Sequence, residues 1–162
     1  MTELPIWAQI LILALLLAIS GFFSISETSM MAINRFRLRH LAKQGHRGAK
    51  RTQGLLDQTE RLLGVILIGN NVVNTVSAMF SGAIAAHYWG NNEYALSIAA
   101  ALIAFAIIIF SELAPKVVGA AYPEKIAFPV SFILKPLLTL LAPLVWFTNL
   151  FANAILRLLR IN

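Results

Sequence analysis

Long apolar runs alternate with short polar segments along the chain, and three of the runs are long enough to cross a membrane. They cover residues 6–28, 62–87 and 94–114. A helix needs about 20 apolar residues to cross a hydrocarbon core of about 30 Å, so each run predicts one transmembrane helix. The first run has no Lys or Arg before it and carries Glu3 instead, unlike a cleavable signal peptide. We therefore expect a retained membrane helix there.

The polar segment of residues 35–61, between the first two runs, is basic and amphipathic. Its basic residues are Arg35, Arg37, Arg39, Lys43, Arg47, Lys50, Arg51 and Arg61. Leucines recur at helical intervals between them, at Leu38, Leu41, Leu55 and Leu56. This pattern predicts two short amphipathic helices, broken near Gly45, that lie on the inner face of the membrane.

The distribution of Lys and Arg also predicts the orientation of the chain. Cytoplasmic loops carry an excess of basic residues, which places the N-terminus outside and residues 35–61 inside. Residues 87–94 contain no Lys or Arg and are therefore expected outside again. The third span then ends in the cytoplasm near Lys116. These features predict a multi-pass protein of the cell membrane, either a plasma membrane or a bacterial inner membrane.

Residues 117–162 allow two topologies. This segment is long enough to cross, but a crossing would deliver Arg157 and Arg160 to the outside, against the charge rule. It also contains Pro129, Pro136 and Pro143, each of which removes a backbone donor and favours a kink. We expect residues 123–160 to form a kinked helix or a pair of helices that enters the inner leaflet shallowly and returns to the cytoplasmic surface, with a fourth full span as the alternative.

The composition supports a membrane protein and excludes several other classes. Of 162 residues, 59% are hydrophobic and 12% are charged, which is too apolar for an ordinary soluble domain. There are no cysteines, so disulfides and thiolate metal sites are excluded. The formal charge of +6 comes mainly from residues 35–61, flanked by apolar spans. We therefore expect the partner of the basic residues to be the bilayer and not nucleic acid.

Polar residues inside the predicted spans are the candidates for a site, because burying them in lipid is costly. They include Ser20, Ser24, Glu27 and Thr28 in the first span, Asn70, Asn71, Asn74, Ser77 and Ser81 in the second, and Ser111 and Glu112 in the third. At about 1.5 Å per residue, Ser20, Asn70 and Glu112 lie about 21, 18 and 27 Å from the outer side. We therefore expect side chains from three helices to meet in the inner half of the membrane.

The chemistry of these side chains favours a hard cation. Hydroxyl, amide and carboxylate oxygens suit magnesium, calcium or sodium better than a transition metal. Pro115 lacks an N–H and cannot bond the carbonyl of Ser111, which becomes a further possible ligand beside Glu112. Broken helices at membrane depth are typical of ion sites in transporters.

Each of these residues also has a structural explanation that the sequence leaves open. Serines in membrane helices often bond the carbonyl four residues back, and asparagines can simply join neighbouring helices. Glu112 is either a protonated acid or the ion-pair partner of Lys116 one turn later. The small residues of the second and third spans indicate close helix packing and hence a dimer.

Three ordered motifs resemble the transmembrane domain of the CorC/CNNM (cyclin M) magnesium transporters. They are SGFFSISETSMMAINRFRLRHLAKQG, ERLLGVILIGNNVVN and FSELAPKVVG. The resemblance implies a homodimer of three-span subunits with a juxtamembrane helical belt, a dehydrated magnesium ion in each subunit, and export of Mg²⁺ coupled to Na⁺. In this family ATP-binding CBS domains and a CorC-type domain normally follow. This chain contains no CBS segment, so ATP regulation is not expected within these residues.

The resemblance also implies a set of site residues. The metal ligands are expected to be Ser20, Ser24, Asn70, Glu112 and the carbonyl of Gly119, with Asn71, Asn74, Ser111, Pro115 and Lys116 as supporting or alternative residues. The expected function is magnesium transport by alternating access, without enzymatic chemistry. The alternatives are a magnesium-sensing scaffold that regulates another transporter and a divalent-cation channel.

Overall fold

The computed structural model describes residues 4–160, and every regular element in them is a helix. The elements in chain order are α1 (Ile6–Ala32), α2 (Arg35–Lys43), α3 (Arg47–Leu56), α4 (Thr59–Trp89), α5 (Glu93–Ile108), a π-helical turn (Ile109–Leu113), α6 (Ala114–Ala121) and α7 (Pro123–Leu158). The all-helical membrane class predicted from the sequence is therefore confirmed. Glu3 and the last two residues lie outside the described part.

Four helical stretches are long and apolar enough to cross a membrane. They are α1, α4, the continuous stretch Glu93–Ala121 and α7. The first three contain the predicted spans and extend a few residues beyond each of them. The fourth is the segment for which the sequence left two topologies open. The chain is thus a multi-pass membrane protein, with four candidate spans where three were expected.

Helices α2 and α3 together carry most of the basic residues, and we call them the basic layer. Asn34 caps α2 by accepting hydrogen bonds from the backbone N–H groups of Phe36 and Arg37. The side chain of His46 caps α3 in the same way, by accepting from the N–H of Ala49. Between the two helices Gly45 has a φ of 90°, a conformation that favours glycine. The break lies where the sequence predicts one.

The apolar core lies at the basic end of the molecule. It is built from the last turns of α1, the inner faces of the basic layer, the first turns of α4 and much of α7. Met30, Leu38, Leu62 and Leu134 are fully buried there. By contrast, only 6% of the apolar window of Glu93–Ala121 is buried within the chain. Most of that stretch therefore faces lipid or another protein.

Helix α7 is a single helix of 36 residues and does not turn back on itself, although it contains Pro129, Pro136 and Pro143. The three prolines are spaced by seven residues, so they fall on one face, and all three are exposed. The opposite face follows the basic layer and then α4: Glu124 pairs with Arg37, Phe128 packs on His46, Ser131 bonds Arg51, and Val145 lies beside Gly64.

The third apolar stretch contains a local break one turn before Pro115. The N–H of Ala114 bonds the carbonyl of Ile109, five residues back, which makes residues 109–113 a π-helical turn. Gly21 of α1 packs against this turn: a Cβ there would lie 3.3 Å from the ring of Pro115 and 3.4 Å from the carbonyl oxygen of Phe110. The absence of a side chain at Gly21 thus lets α1 approach the break closely.

Candidate functional site

Four of the predicted polar residues form one hydrogen-bonded cluster between three helices. Ser20 Oγ of α1 lies 2.9 Å from Asn70 Oδ1 and 2.5 Å from Asn74 Oδ1, both of α4. Asn74 Nδ2 donates to Glu112 Oε1 of the π-helical turn at 3.3 Å, and lies 3.4 Å from Asn70 Oδ1. We call Ser20, Asn70, Asn74 and Glu112 the oxygen cluster.

Local packing explains why these side chains meet. Asn70 and Asn74 are one turn apart and therefore lie on the same face of α4. That face is held against α1 because Gly69 leaves room for Phe23. A Cβ at Gly69 would lie only 2.5 Å from a ring carbon of Phe23. The glycine next to Asn70 thus fixes the approach of the two helices at the level of the cluster.

One hydroxyl hydrogen in the cluster faces two acceptor oxygens. The hydroxyl of Ser20 is within hydrogen-bonding distance of two amide oxygens but carries a single hydrogen. Only one of these contacts can be a hydrogen bond at a time, so the other brings two electronegative oxygens together. A cation among them would relieve this repulsion. The arrangement is therefore suited to bind a positive charge.

Ser24 adds a buried hydroxyl that has no partner. Its side chain is 0% exposed, and no hydrogen-bond partner lies within reach of its Oγ in residues 4–160. It is one turn from Ser20 on the same face of α1. Buried polar atoms without a partner are rare and require an explanation such as an ion or a water molecule.

Other serines in the long helices donate to the backbone carbonyl four residues back. Ser26, Ser77 and Ser111 donate to the carbonyls of Phe22, Val73 and Ile107, respectively, each four residues back. Ser20 bonds across to α4 instead, and Ser24 has no such bond in the described residues. Ser20 and Ser24 thus differ from these three serines, although Ser81, seven residues beyond Asn74 on α4, also has a buried hydroxyl without a partner in the described residues.

Several supporting residues lie outside the oxygen cluster. Asn71 is exposed, and the Ser111 side chain turns back to its own helix. Lys116 is also exposed, and the one ion pair found in residues 4–160 joins Arg37 to Glu124. Glu112 is therefore hydrogen-bonded to Asn74 and not paired with Lys116. Pro115 contributes through the backbone break and its contact with α1.

Gly119 packs against α1 just beyond Ser24, outside the oxygen cluster. It lies about two turns beyond Glu112, where a Cβ would be 2.9 Å from the carbonyl oxygen of Ile25 and 3.2 Å from the nitrogen of Ser29. Ile25 is more than one turn along α1 from Ser20. The structure thus shows Gly119 as a close contact between α6 and α1.

Asn74 has a larger part in the site than the sequence pattern indicated. It is the residue that joins Ser20 to Glu112, and therefore α1 to the third apolar stretch through α4. Its spacing of four residues from Asn70 was the signal that could have ranked it above Asn71. In residues 4–160 no three or more His, Cys, Asp or Glu side chains cluster as a metal site. A cation here would have one carboxylate and several neutral oxygens.

Comparison with known proteins identifies similar chains over nearly the full length. The family described as cyclin M transmembrane N-terminal domain (CNNM) matches residues 10–162. The inner membrane protein YfjD of Escherichia coli, of the group UPF0053, is 43% identical over 89% of this chain and 33% of its own length. A UPF0053 protein of Haemophilus influenzae is 37% identical over 98% of this chain and 37% of its own length.

A relative with a functional name is also similar. The polyamine export protein of Escherichia coli K12 is 30% identical over 94% of this chain and 37% of its own length. The chain therefore spans about a third of the length of these curated relatives. The matched region is in each case a part of a larger protein.

Proposed function

The chain belongs to the cyclin M (CNNM) transmembrane family, and from this membership we propose that it transports Mg²⁺ across the membrane through the oxygen cluster. The family is linked to divalent cation transport. The observation that carries the proposal is the meeting of Ser20, Asn70, Asn74 and Glu112 beside the unpartnered hydroxyl of Ser24. Transport consists here of binding and release, so no residue is assigned a catalytic role.

The donor set supports magnesium over softer metals. Mg²⁺ prefers hard oxygen ligands in an octahedral arrangement at about 2.0–2.1 Å. Ser20, Ser24, Asn70, Asn74 and Glu112 supply hydroxyl, amide and carboxylate oxygens. Asn71, Ser111 and the carbonyl of Gly119 remain alternative ligands; the Asn71 side chain is exposed and the Ser111 hydroxyl donates to Ile107. Water completes the coordination where protein oxygens do not.

The charge of the site supports transport as opposed to permanent binding. The one carboxylate in the cluster belongs to Glu112, so a bound divalent ion is left with a net charge of about +1. A partly neutralised ion in a medium of low dielectric constant is held less tightly than one with two or three carboxylates. Release to either side of the membrane is then energetically accessible.

The π-helical turn before Pro115 supports the proposal that the helix bends at the site. π-Helical turns occur mostly as single turns at functional sites, and proline removes a backbone bond from the same region. Glu112 lies within this turn and Gly21 of α1 lies against it. We assign to this break the bending by which the site opens alternately to the two sides.

Three of the four candidate spans cross the membrane in this proposal. Helix α7 would be about 54 Å long, well above the thickness of a hydrocarbon core of about 30 Å. Its buried face contacts the basic layer from Glu124 to Ser131 and the first turns of α4 at Val145. A helix that crossed would leave that layer within a few turns. We therefore place α7 as a belt along the cytoplasmic surface, together with the basic layer.

Dimer formation and coupling to Na⁺ complete the proposal. The stretch Glu93–Ala121 is the least covered of the candidate spans, and α4 and α5 carry small residues at the exposed positions Gly82, Ala86 and Ala100. These small residues suit a second copy of the chain. Light scattering of the detergent-solubilised protein tests this: a mass of two copies is expected, and a single copy would contradict it.

Na⁺ would compete for the same hard oxygens. ATP acts only through domains beyond these residues.

A protonated amine is the second candidate cargo. A similar protein is named a polyamine export protein. The same carboxylate and amide oxygens that fit Mg²⁺ can accept hydrogen bonds from an ammonium group. The mechanism would again be binding and release at the oxygen cluster, so only the identity of the ion differs.

Flux measurements on proteoliposomes test the cargo and the coupling together. We expect Mg²⁺ to cross faster under an opposing Na⁺ gradient, and Glu112→Gln to reduce this flux to the level of empty liposomes. Flux of spermidine without flux of Mg²⁺ would transfer the proposal to the amine. Binding without any flux would favour the sensing scaffold, and rapid flux without Na⁺ dependence would favour a channel.

A further inference from the structure

Apart from the oxygen cluster, the structure has a polar cavity next to the basic layer. It has a volume of about 270 Å³ and is bounded by α3, the first turn of α4 and α7. Its cationic lining residues are Lys50, Arg51, Arg61 and Lys135, and no carboxylate of residues 4–160 lines it. A cavity of this size has room for several water molecules or for a phosphate group.

Within the described part of the chain, the four cations have no acidic partner at ion-pair distance. The ion pair found there lies elsewhere, between Arg37 and Glu124. The acids closest in sequence, Asp57 and Glu60, line a neighbouring cavity, which shares Gln58 and Arg61 with this one. Four like charges around one cavity repel each other, and an anion between them would remove that repulsion.

Both arginines are anchored on one edge only. Arg51 Nε donates to Ser131 Oγ at 3.3 Å, and its guanidinium carbon lies 5.5 Å from the ring centre of Phe132. Arg61 Nη1 donates to Gln58 Oε1 at 3.3 Å. The remaining N–H groups are available to an anion, and the planar fork of a guanidinium matches the oxygens of a phosphate.

The position of the cavity identifies the source of the phosphate. Arg61 is the last charged residue before the apolar run of α4, so the cavity lies where that helix enters the membrane. Leu55 and Leu138 form its apolar floor and are buried. Close to the cavity along α7, Leu140 is 74% exposed and offers an apolar surface to acyl chains. Basic pockets at this level are typical binding sites for anionic lipid headgroups.

We infer that this cavity binds the phosphate of an anionic phospholipid from the adjacent leaflet. The lipid would join α3, α4 and α7 through its headgroup, independently of which ion the protein transports. It would thereby fix α7 against the basic layer.

Thermal unfolding of the purified protein in a neutral detergent tests the inference with three probes. These are dioctanoyl phosphatidylglycerol, dioctanoyl phosphatidylcholine and inorganic phosphate. We expect only the first to raise the melting temperature at micromolar concentration. The double variant Lys50→Gln/Lys135→Gln should bind it roughly 30-fold more weakly, since each lysine near an anionic lipid contributes about a 5-fold gain. Both lysines are exposed, so the fold should be retained.

A matched double variant distinguishes binding in the cavity from a general effect of positive charge. Lys43→Gln/Lys125→Gln removes the same charge from exposed sites outside the cavity and should stay within about threefold of the wild type. Arg61→Gln, a single change within the cavity, should weaken binding about 5-fold. Equal losses in both double variants would overturn the site. Binding of inorganic phosphate as tight as that of phosphatidylglycerol would overturn the assignment to a lipid.

Discussion

At the scale of single residues, cation binding depends on which side chains bring their oxygen atoms together. Ser20, Asn74 and Glu112 form a continuous chain of contacts across three helices. Asn71 is chemically identical to Asn74, but it is exposed and lies outside the oxygen cluster. The two asparagines therefore provide a test in which only position differs.

Asn74→Ala should weaken Mg²⁺ binding at least tenfold, because it removes one oxygen next to Ser20 and the amide donor to Glu112. Changes around metal ligands typically cost about 10- to 100-fold in affinity. Asn71→Ala should leave affinity within about twofold of the wild type, well below that range. Titration calorimetry of both variants measures the difference. Equal affinities would remove Asn74 from the site.

Helical spacing predicted which residues share a face, but not which asparagine bonds the neighbouring helix. Estimates of depth from a rise of about 1.5 Å per residue place Asn70, Asn71 and Asn74 within about one turn of each other. Which of the three asparagines faces α1 depends on the rotation of α4 about its axis. That rotation depends on the packing of Phe23 over Gly69, a tertiary contact that no local pattern reveals.

At the scale of elements, two glycines show how differently the same residue type is used. Gly119→Ala should lower the free energy of unfolding by about 1–3 kcal/mol, because its Cβ would lie 2.9 Å from the carbonyl oxygen of Ile25. A Cβ added at Gly54 of α3 would have no neighbour within 4 Å among the described residues, so Gly54→Ala should be neutral or stabilise by up to about 1 kcal/mol. Denaturant unfolding measures both. A neutral Gly119→Ala would contradict the close contact of α6 with α1.

The π-helical turn provides a second test at this scale. Pro115→Ala restores a backbone donor and should straighten the helix, raising the melting temperature. A proline destabilises a straight helix by about 3 kcal/mol, so the variant helix should be harder to bend. If the site opens by bending here, Mg²⁺ flux should then fall about tenfold or more. Equilibrium affinity for Mg²⁺ should change little. A variant that is more stable but transports at the wild-type rate would contradict the proposed role of the break.

The elements were predictable to different degrees. The missing N–H of Pro115 indicated a break at the right place, but neither its form as a π-helical turn nor the packing of Gly21 against it follows from the local pattern. The three prolines of α7 predicted a kinked or returning segment. The structure has one helix, because the prolines fall on its exposed face and the opposite face packs continuously on the core.

At the scale of the whole molecule, the topology of α7 decides the number of spans. The chain contains no cysteine, so single cysteines can be introduced at Lys43 and Arg160 without background. We expect a membrane-impermeant maleimide to label both positions from the cytoplasmic side only, since α7 follows the basic layer. Labelling of position 160 from the outside would show that α7 crosses.

Sequence alone could place this chain in its class and family, since apolar runs and ordered motifs are local features. It could not decide between three and four spans, because α7 is apolar enough for both. Our proposal of three spans rests on the partners of its buried face, such as Arg37 for Glu124 and Gly64 for Val145. These are long-range contacts that length and composition do not contain.

The central claim is that a magnesium ion binds between α1, α4 and the π-helical turn. A high-resolution structure of the protein in lipid nanodiscs with Mg²⁺ tests it most directly. We predict density for an ion at about 2.0–2.1 Å from oxygens of Ser20, Asn70 or Asn74 and Glu112. Absence of that density at saturating Mg²⁺, with Asn74 still donating to Glu112, would contradict it.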